Sequence, residues 1–416
     1  MVDPRQRSVA VIGDGPAGTT LAAFLARGGA RVGLFAAGRP AAPIVGESLL
    51  PAVIPILREL GIEEEVRSYG EFKPGATFVL HDGAVIGFDF ARNAGRLPGY
   101  AFNVPRDRFD ATLREASRAS GARVFDTRVR LERDPDGADR VRLAAAESEV
   151  RDYFGGEPEW IVDATGRRRT IVRLLDLASK AGARRDVALF AHCEGVRVDN
   201  AGHVHMDHLR RGWCWRIPLP GVVSLGIVVA PDALEGLGST AEEQFDACIA
   251  REPHLQRVAA GARRVSAVAR YSNYQWAAER GFGDGWALVG DALGFVDPIF
   301  SSGLFLAMEG AQVLARALIS GDPAALRRYE RRQRRHLAAW QRMASYYYDG
   351  RLFELVRMSR PENHGLFGRL TTQHVTRSVA RILTGESTTG AYSPRLLAFL
   401  IRHGLRPADP GALRIH

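Results

Sequence analysis

Lysine is almost missing from this chain. Of its 416 residues, 56 are Lys or Arg, and only Lys73 and Lys180 are lysines. A genome-wide preference for Arg over Lys accounts for such a bias, and it makes each surviving lysine informative. Cysteine is scarce as well. Cys193, Cys214 and Cys248 are far apart and form no CxxC pair, which argues against a disulfide framework and a cysteine-based zinc site. No apolar run reaches about eighteen residues, so no membrane span is expected. The polar segment Met1–Arg7 lacks the layout of a secretory leader, which makes the cytoplasm the expected compartment. Internal repeats and low-complexity tracts are absent too. Hydrophobic residues at 46% and charged residues at 25% exclude a mainly disordered chain. A formal charge of +9 raises the question of a polyanionic partner. The basic residues are scattered, however, and no basic–aromatic module is visible, so nucleic acid is not expected.

What is present begins at the N-terminus. Ser8 to Ile12 is a short β-rich run, followed by Gly13-Asp14-Gly15-Pro16-Ala17-Gly18. Leu21, Ala22, Phe24 and Leu25 then recur at helical spacing, Gly28-Gly29 stops the helix, and Arg31 to Phe35 reads as a second strand. Strand, glycine turn, helix and strand form the dinucleotide fingerprint in its required context. Gly13 permits the tight turn, Gly15 lets backbone N–H groups approach a pyrophosphate, and Gly18 lets the helix pack on the strand. The helix start then stabilises phosphate charge. The acidic residue that usually ends the second strand is missing, because the chain reads Phe35-Ala36-Ala37-Gly38. Ribose recognition is then weaker or falls to another residue such as Arg39.

Two later strands end in carboxylates. Trp160 to Gly166 reads WIVDATG, with Asp163 at the strand end, and Gly285 to Gly294 reads GWALVGDALG, with Asp291 after Gly290. A carboxylate in such a place can accept from a ribityl or ribose hydroxyl. A helix expected from about Ser302 to Leu318 can aim its first N–H groups at an anion. In this order the motifs resemble the flavoprotein monooxygenase class over roughly the first 330 residues. The resemblance implies FAD held by Gly13, Gly15, Ala17, Gly18, Ser48, Arg106 (in NVPRDRFD), Asp291, Pro298 and Gly303.

Four further motifs narrow the resemblance: GESLLP (Gly46 to Pro51), EFKPGATF (Glu71 to Phe78), WCWRIP (Trp213 to Pro218) and DPIFSSG (Asp297 to Gly303). Together they are similar to the flavin-dependent halogenases. That family implies a catalytic lysine, here Lys73, whose amine holds hypohalous acid by hydrogen bonding or reacts with it to a haloamine. Arg cannot do this easily, because its guanidinium stays protonated. Lys73 is thus one of two lysines to survive in a chain that otherwise writes Arg, and Lys180 reads as solvated surface. Trp213 and Trp215 alternate on a strand and share a face. The family places them in the passage between flavin and substrate, and the plainer reading is two large side chains filling a sheet core. Ser301, Ser302 and Gly303 offer successive N–H groups for a halide; a capped helix with Ser as N-cap is the compatible structural reading. Tryptophan halogenases carry a glutamate where this chain has Phe300, a residue assigned to the substrate pocket. The likeness is therefore to the branch acting on phenols and pyrroles. Glu47 is either a helper beside the flavin or a carboxylate at a helix N-terminus.

Other features carry less. His203, His205, Asp207 and His208 (HVHMDH) have no second ligand group at metal spacing, so no metal is expected. Arg327 to His336 reads as a solvated basic helix face, or as a surface for an acidic carrier protein. Tyr346, Tyr347, Tyr348 and Phe353 suggest a helical cap, with a loop at Glu386–Pro394 and a last helix from Arg395 to His403.

The expected fold is α/β. A Rossmann-like FAD lobe spans about 1–70, 101–180 and 270–330, a mixed-sheet substrate lobe spans 71–100 and 181–269, and a helical lid covers 331–416. The implied function is a halogenase that uses FADH2, O2 and chloride or bromide to make hypohalous acid. It would halogenate a phenol or pyrrole, free or tethered to a carrier protein, in natural-product biosynthesis. No motif for NAD(P)H is evident, which implies a separate flavin reductase. The rivals are a flavin-dependent aromatic hydroxylase and a nucleic-acid-binding accessory protein.

Overall fold

A computed structural model describes residues 7–36, 38, 44–93, 95–137, 139–144, 148–272, 275–358, 377–386, 392–403 and 414–415. The fingerprint forms as its residues dictate. Strand Ser8–Ile12 pairs in parallel with Arg31–Phe35 on one side and Trp160–Asp163 on the other. Trp286–Leu288 and Phe282–Gly283 extend the sheet past Trp160–Asp163, and Arg123–Phe125 extends it past Arg31–Phe35. Helix Pro16–Arg27 covers the sheet and packs on helices Ser302–Ser320 and Arg106–Ala119. Gly13 takes φ +112°, and a Cβ on Gly18 would meet the Gly13 carbonyl oxygen at 1.8 Å. Both glycines therefore bring helix and strand together, as the sequence predicts. Arg39 lies outside the described residues.

The second sheet has eight strands and mixed direction. Its order is Arg263–Arg264, Val187–Glu194, Val222–Val229, Trp213–Leu219, Val204–His208, Gly75–Val79 and Val85–Asp89, with Ala269–Ser272 also on Val187–Glu194. Val204–His208 runs parallel to Gly75–Val79, and the other pairs are antiparallel. Strand alternation sorts the side chains of Trp213–Leu219. Trp213, Trp215 and Ile217 face the interior between the lobes, whereas Cys214 and Arg216 face the opposite side. On that side Arg216 is fully buried and donates to Asp207 at 2.7 Å, and His254 Nε2 meets the same carboxylate oxygen at 2.9 Å. Burial alone would raise the Asp207 carboxyl, but His254 and Arg216 outweigh it and hold the group below its usual range. His205 Nδ1 also meets Arg216, at 3.1 Å. Asp207, Cys214 and His254 form a cluster with metal-ligand atom types, and the Arg216 cation already occupies its charge.

Helix Ser302–Ser320 is long and apolar enough to cross a membrane by length and composition, and 72% of its most apolar window is buried inside the protein. It is the central core helix. Helix Pro323–Tyr348 follows it, capped by the Asp322 side chain. The boundary expected after residue 330 falls inside this helix, because its buried stripe (Leu326, Tyr329, Gln333, Leu337, Trp340) runs unbroken across it. Arg327, Arg331 and Arg335 are exposed on its other face, and His336 is buried. Tyr346, Tyr347, Tyr348 and Phe353 are buried and cap the interior. Lys180 lies on a short strand, Ser179–Ala181, rather than in a loop, and is exposed. The last helix spans Tyr392–His403, and residues 387–391 of the preceding loop lie outside the described residues.

Gly226 faces Trp215 across the sheet, and a Cβ there would lie 2.0 Å from the indole. Gly226→Ala should cost about 1–3 kcal/mol through overpacking and displace Trp215. Urea unfolding and near-ultraviolet circular dichroism measure both, and unchanged values would contradict this packing.

Candidate active site

A cavity lies between the lobes. Its walls bring together Gly15, Ala17, Glu47, Ser48, Arg106, Trp213, Trp215, Asp291, Pro298, Ser301 and Gly303. These residues come from six separate stretches of chain. Gly13 and Gly18 stand behind the wall and shape it, while Ser302 is buried in the first turn of its helix.

The cavity fits FAD on its own observations. A Cβ at Gly15 would meet nothing within 4 Å, so the backbone at the helix start is open to a phosphate. Arg106 is held by both oxygens of Asp110, at 3.1 and 3.0 Å, and donates to the Val45 carbonyl at 2.7 Å. Asp291 lines the cavity and makes no hydrogen bond to protein among the described residues. Burial pushes its carboxyl up to about 6, with Arg106 and Arg167 pulling the other way. An acceptor without a protein donor suits a hydroxyl-rich ligand. Asp163, by contrast, is turned inward. It accepts from Thr165 N, Thr165 Oγ1 and Ile171 N, so Ala164 and Gly166 line the cavity instead.

A second, smaller chamber adjoins the first. It contains Lys73 and Phe300, among Leu50, Ala76, Phe88, Phe90 and Leu383. Val204, Met206, Ile299 and Ser301 line both chambers, so one layer of side chains separates them. Lys73 is 2% exposed. Its Nζ donates to Ser48 Oγ at 2.8 Å and to the Leu49 carbonyl at 2.9 Å, and lies 5.3 Å from the Phe90 ring centre. Burial away from any carboxylate lowers its amine to about 7.

The chain belongs to the flavin-dependent halogenase family. The tryptophan halogenase profile matches residues 89–351, more than half of the chain. A 1H-pyrrole-2-carbonyl-[peptidyl-carrier protein] chlorinase of Pseudomonas fluorescens is 27% identical over 379 residues, covering 82% of this chain and 83% of that one. Sulochrin halogenase of Aspergillus terreus is 32% identical over 339 residues, 74% of this chain and 62% of the relative. The solved myxobacterial chondrochloren halogenase CndH superposes with a TM-score of 0.73 at 28% identity, over 99% of each chain.

In this halogenase the DPIFSSG turn is unusual in its backbone. Ser301 has φ +55° and ψ 26°, a left-handed conformation that strains a residue with a Cβ. Ser301 stands at the N-cap position of the long helix, but its hydroxyl makes no capping bond there. The expected serine cap is therefore absent, and the first-turn N–H groups near Ser302 and Gly303 keep no side-chain acceptor. Pro298 sets the preceding turn, with Ser301 N bonded to its carbonyl at 3.1 Å. Asp297 anchors the other end of the motif. Gln275 Nε2 donates to it at 3.0 Å and Ile299 N at 3.1 Å, while Tyr348 OH lies 3.3 Å from both oxygens. Burial pushes Asp297 up to about 7. Trp213 Nε1 donates to Tyr348 OH at 3.0 Å, which ties the tryptophan strand to the C-terminal helix.

Several of these residues were not read from the sequence. Asp110 was readable, being four residues after Arg106 on one helix face. Asp297 stood inside a quoted motif. Leu383, Val204, Met206 and His192, which hydrogen-bonds Glu47, arrive from remote segments and leave no local signal, while Tyr348 was read only as part of a helical cap. Glu47 faces the large cavity and starts no helix among the described residues.

The unfolded chain holds the Lys73 proton up to about 10.5, and the folded chain releases it near 7. The unfolded state binds the extra proton between those values, so this residue's contribution to stability rises with pH across that window. Lys73→Met removes the cost of neutralising the amine. Its advantage over wild type should grow as pH falls from about 10.5 to about 7, towards ~5 kcal/mol, and level off below. Urea unfolding across that range measures it, and a pH-independent difference would contradict the burial of a neutral amine.

Proposed function

We propose that this enzyme oxidises chloride or bromide in the larger cavity and halogenates an electron-rich aromatic ring in the smaller one. The observation that carries the reading is the placement of Lys73 in an apolar chamber one side-chain layer from the cofactor cavity. Bound in the larger cavity, reduced FAD supplies, with O2, the oxidising power that turns halide into hypohalous acid.

The chain's own residues do the rest. Gly15, Ala17 and the helix start behind them hold the pyrophosphate, Arg106 and Asp291 fix the cofactor, and the Ser301–Gly303 turn holds the halide. Trp213, Trp215 and Ile217 fill the sheet side of the cavity and leave little room for a substrate beside the flavin. Hypohalous acid then passes the Val204, Met206, Ile299 and Ser301 layer to Lys73. The neutral amine accepts a hydrogen bond from it, or takes the halogen to form a haloamine and water. The ring carbon replaces its proton with that halogen.

Phe300 stands in this chamber, whose walls offer no carboxylate among the described residues. Such a site suits a ring that is reactive without an added base, a phenol or a pyrrole. A separate flavin reductase delivers reduced FAD. The substrate arrives free or on a carrier protein, for which the exposed Arg327, Arg331 and Arg335 are a candidate landing face.

The test combines enzyme, FAD, a flavin reductase, NADH and O2 with phenols and pyrroles, free and carrier-bound, with chloride, with bromide and without halide. Mass spectrometry should show halide-dependent products with the matching isotope pattern, reduced at least about 100-fold in Lys73→Ala. A halide-independent gain of oxygen would identify a hydroxylase and overturn the reading.

A further inference from the structure

Making hypohalous acid from halide consumes a proton. Reduced FAD, O2, one halide ion and one proton give oxidised FAD, hypohalous acid and water, with atoms and charge balanced. That proton must reach the reacting atoms in the cavity between the two lobes. Four ionisable side chains line it: Glu47, Arg106, Asp291 and Asp297. Arg106 stays protonated and is locked to Asp110 and to backbone carbonyls. Asp297 bonds Gln275, Ile299 N and Tyr348, and the Tyr348 hydroxyl leads only to the buried Trp213. Asp291 has no protein hydrogen-bond partner among the described residues. Glu47 differs from all three. Its side chain is 2% exposed, and Oε1 bonds Nε2 of His192, whose side chain is 25% exposed. Among the described residues it is the one cavity carboxylate bonded to a titratable group that reaches solvent.

We propose that His192 and Glu47 form the route by which this proton enters the flavin cavity. His192, protonated at its solvent edge, donates through Nε2 to Glu47, and Glu47 hands the proton to the cavity. Water at the exposed edge reprotonates the imidazole. The inference rests on the halogenase reading above. Glu47 and Asp107 are the charged groups that face His192, and both favour its cation, the hydrogen bond to Glu47 most strongly. His192 is fixed for the task from two sides. Its N–H donates to Ser266 Oγ at 2.9 Å, and its strand pairs with Val222–Val229. Glu47 is fixed likewise, its carbonyl accepting from Val104 N at 2.7 Å. The neighbouring Ser48 meets Lys73. One dipeptide thus serves both chambers.

The first readout needs no cofactor. Nitrogen NMR of the flavin-free protein, with His192 assigned by its loss in His192→Gln, should show a titration midpoint above the ordinary histidine value, lowered in Glu47→Gln. A midpoint indifferent to Glu47→Gln overturns the coupling. The second readout is halogenated product per bound FAD across pH. His192→Gln should bind FAD within about twofold of wild type and yet halogenate about tenfold more slowly at alkaline pH, recovering as pH falls. Added imidazole should restore His192→Ala. Rates within about twofold of wild type with an unchanged pH profile in both variants overturn the relay. Absence of halogenated product in the wild type itself overturns the halogenase reading and the relay with it, a failure distinct from an unaffected variant.

Discussion

The Lys73 amine has two hydrogen-bond acceptors, Ser48 Oγ and the Leu49 carbonyl, and no carboxylate within ion-pair reach among the described residues. That constraint orders much of what surrounds it. Lys73 ends the short strand Glu71–Lys73, which pairs with Ala101–Asn103, and Asn103 in turn bridges to Ser48. The segment that lines the flavin cavity is therefore tied by backbone pairing to the strand that carries the amine. Phe88, Phe90 and Phe300 keep the chamber apolar. A buried ammonium is costly in these surroundings, so the amine gives up its proton near 7 rather than near 10.5, and a large neutral fraction with a free lone pair is present near physiological pH. Arg in its place would stay charged, which is why a chain so poor in lysine keeps one here.

The separation of the chambers depends on a different set of interactions. The tryptophan strand is fixed on its far side by the buried Arg216–Asp207 pair, whose disruption would leave an uncompensated charge at about 3–5 kcal/mol. On its near side Trp213 is held by Tyr348, which also meets Asp297 in the DPIFSSG turn. The C-terminal helix thus sets both the tryptophan wall and the turn that starts the core helix. Leu383 closes the lysine chamber from a still later segment, pinned by the Ala52 N–H on the Thr384 carbonyl.

Local physics was legible in the sequence, and long-range convergence was not. The glycine turn, its flanking strands, the Trp213–Leu219 strand and the Ser302 helix could be read because each is a contiguous pattern with one physical cause. The strand ends and the core helix fall within two residues of their expected limits. The importance of Lys73 was visible only against the scarcity of lysine elsewhere, and its chemistry was carried by a family resemblance. Residue 330 lies inside helix Pro323–Tyr348 because a helix continues while its buried stripe does, whatever its surface charge. The Ser301 cap failed because the left-handed backbone, invisible in the letters, turns the hydroxyl away. His192 and Leu383 were missed because nothing local marks a residue that reaches a site from about 150 to 300 positions away, and the tyrosine run marked a cap without showing which tyrosine meets Trp213 and Asp297.

Two lysines make the central claim directly measurable. Protein labelled with carbon-13 lysine gives two side-chain signals, and Lys180→Arg leaves Lys73 alone. Its ε-carbon shift, followed across pH in the flavin-free protein, should titrate with a midpoint of about 7. A midpoint above about 10, the value of a solvated amine, would mean that the chamber is wet and that Lys73 is a cation, and the account of its chemistry would be wrong.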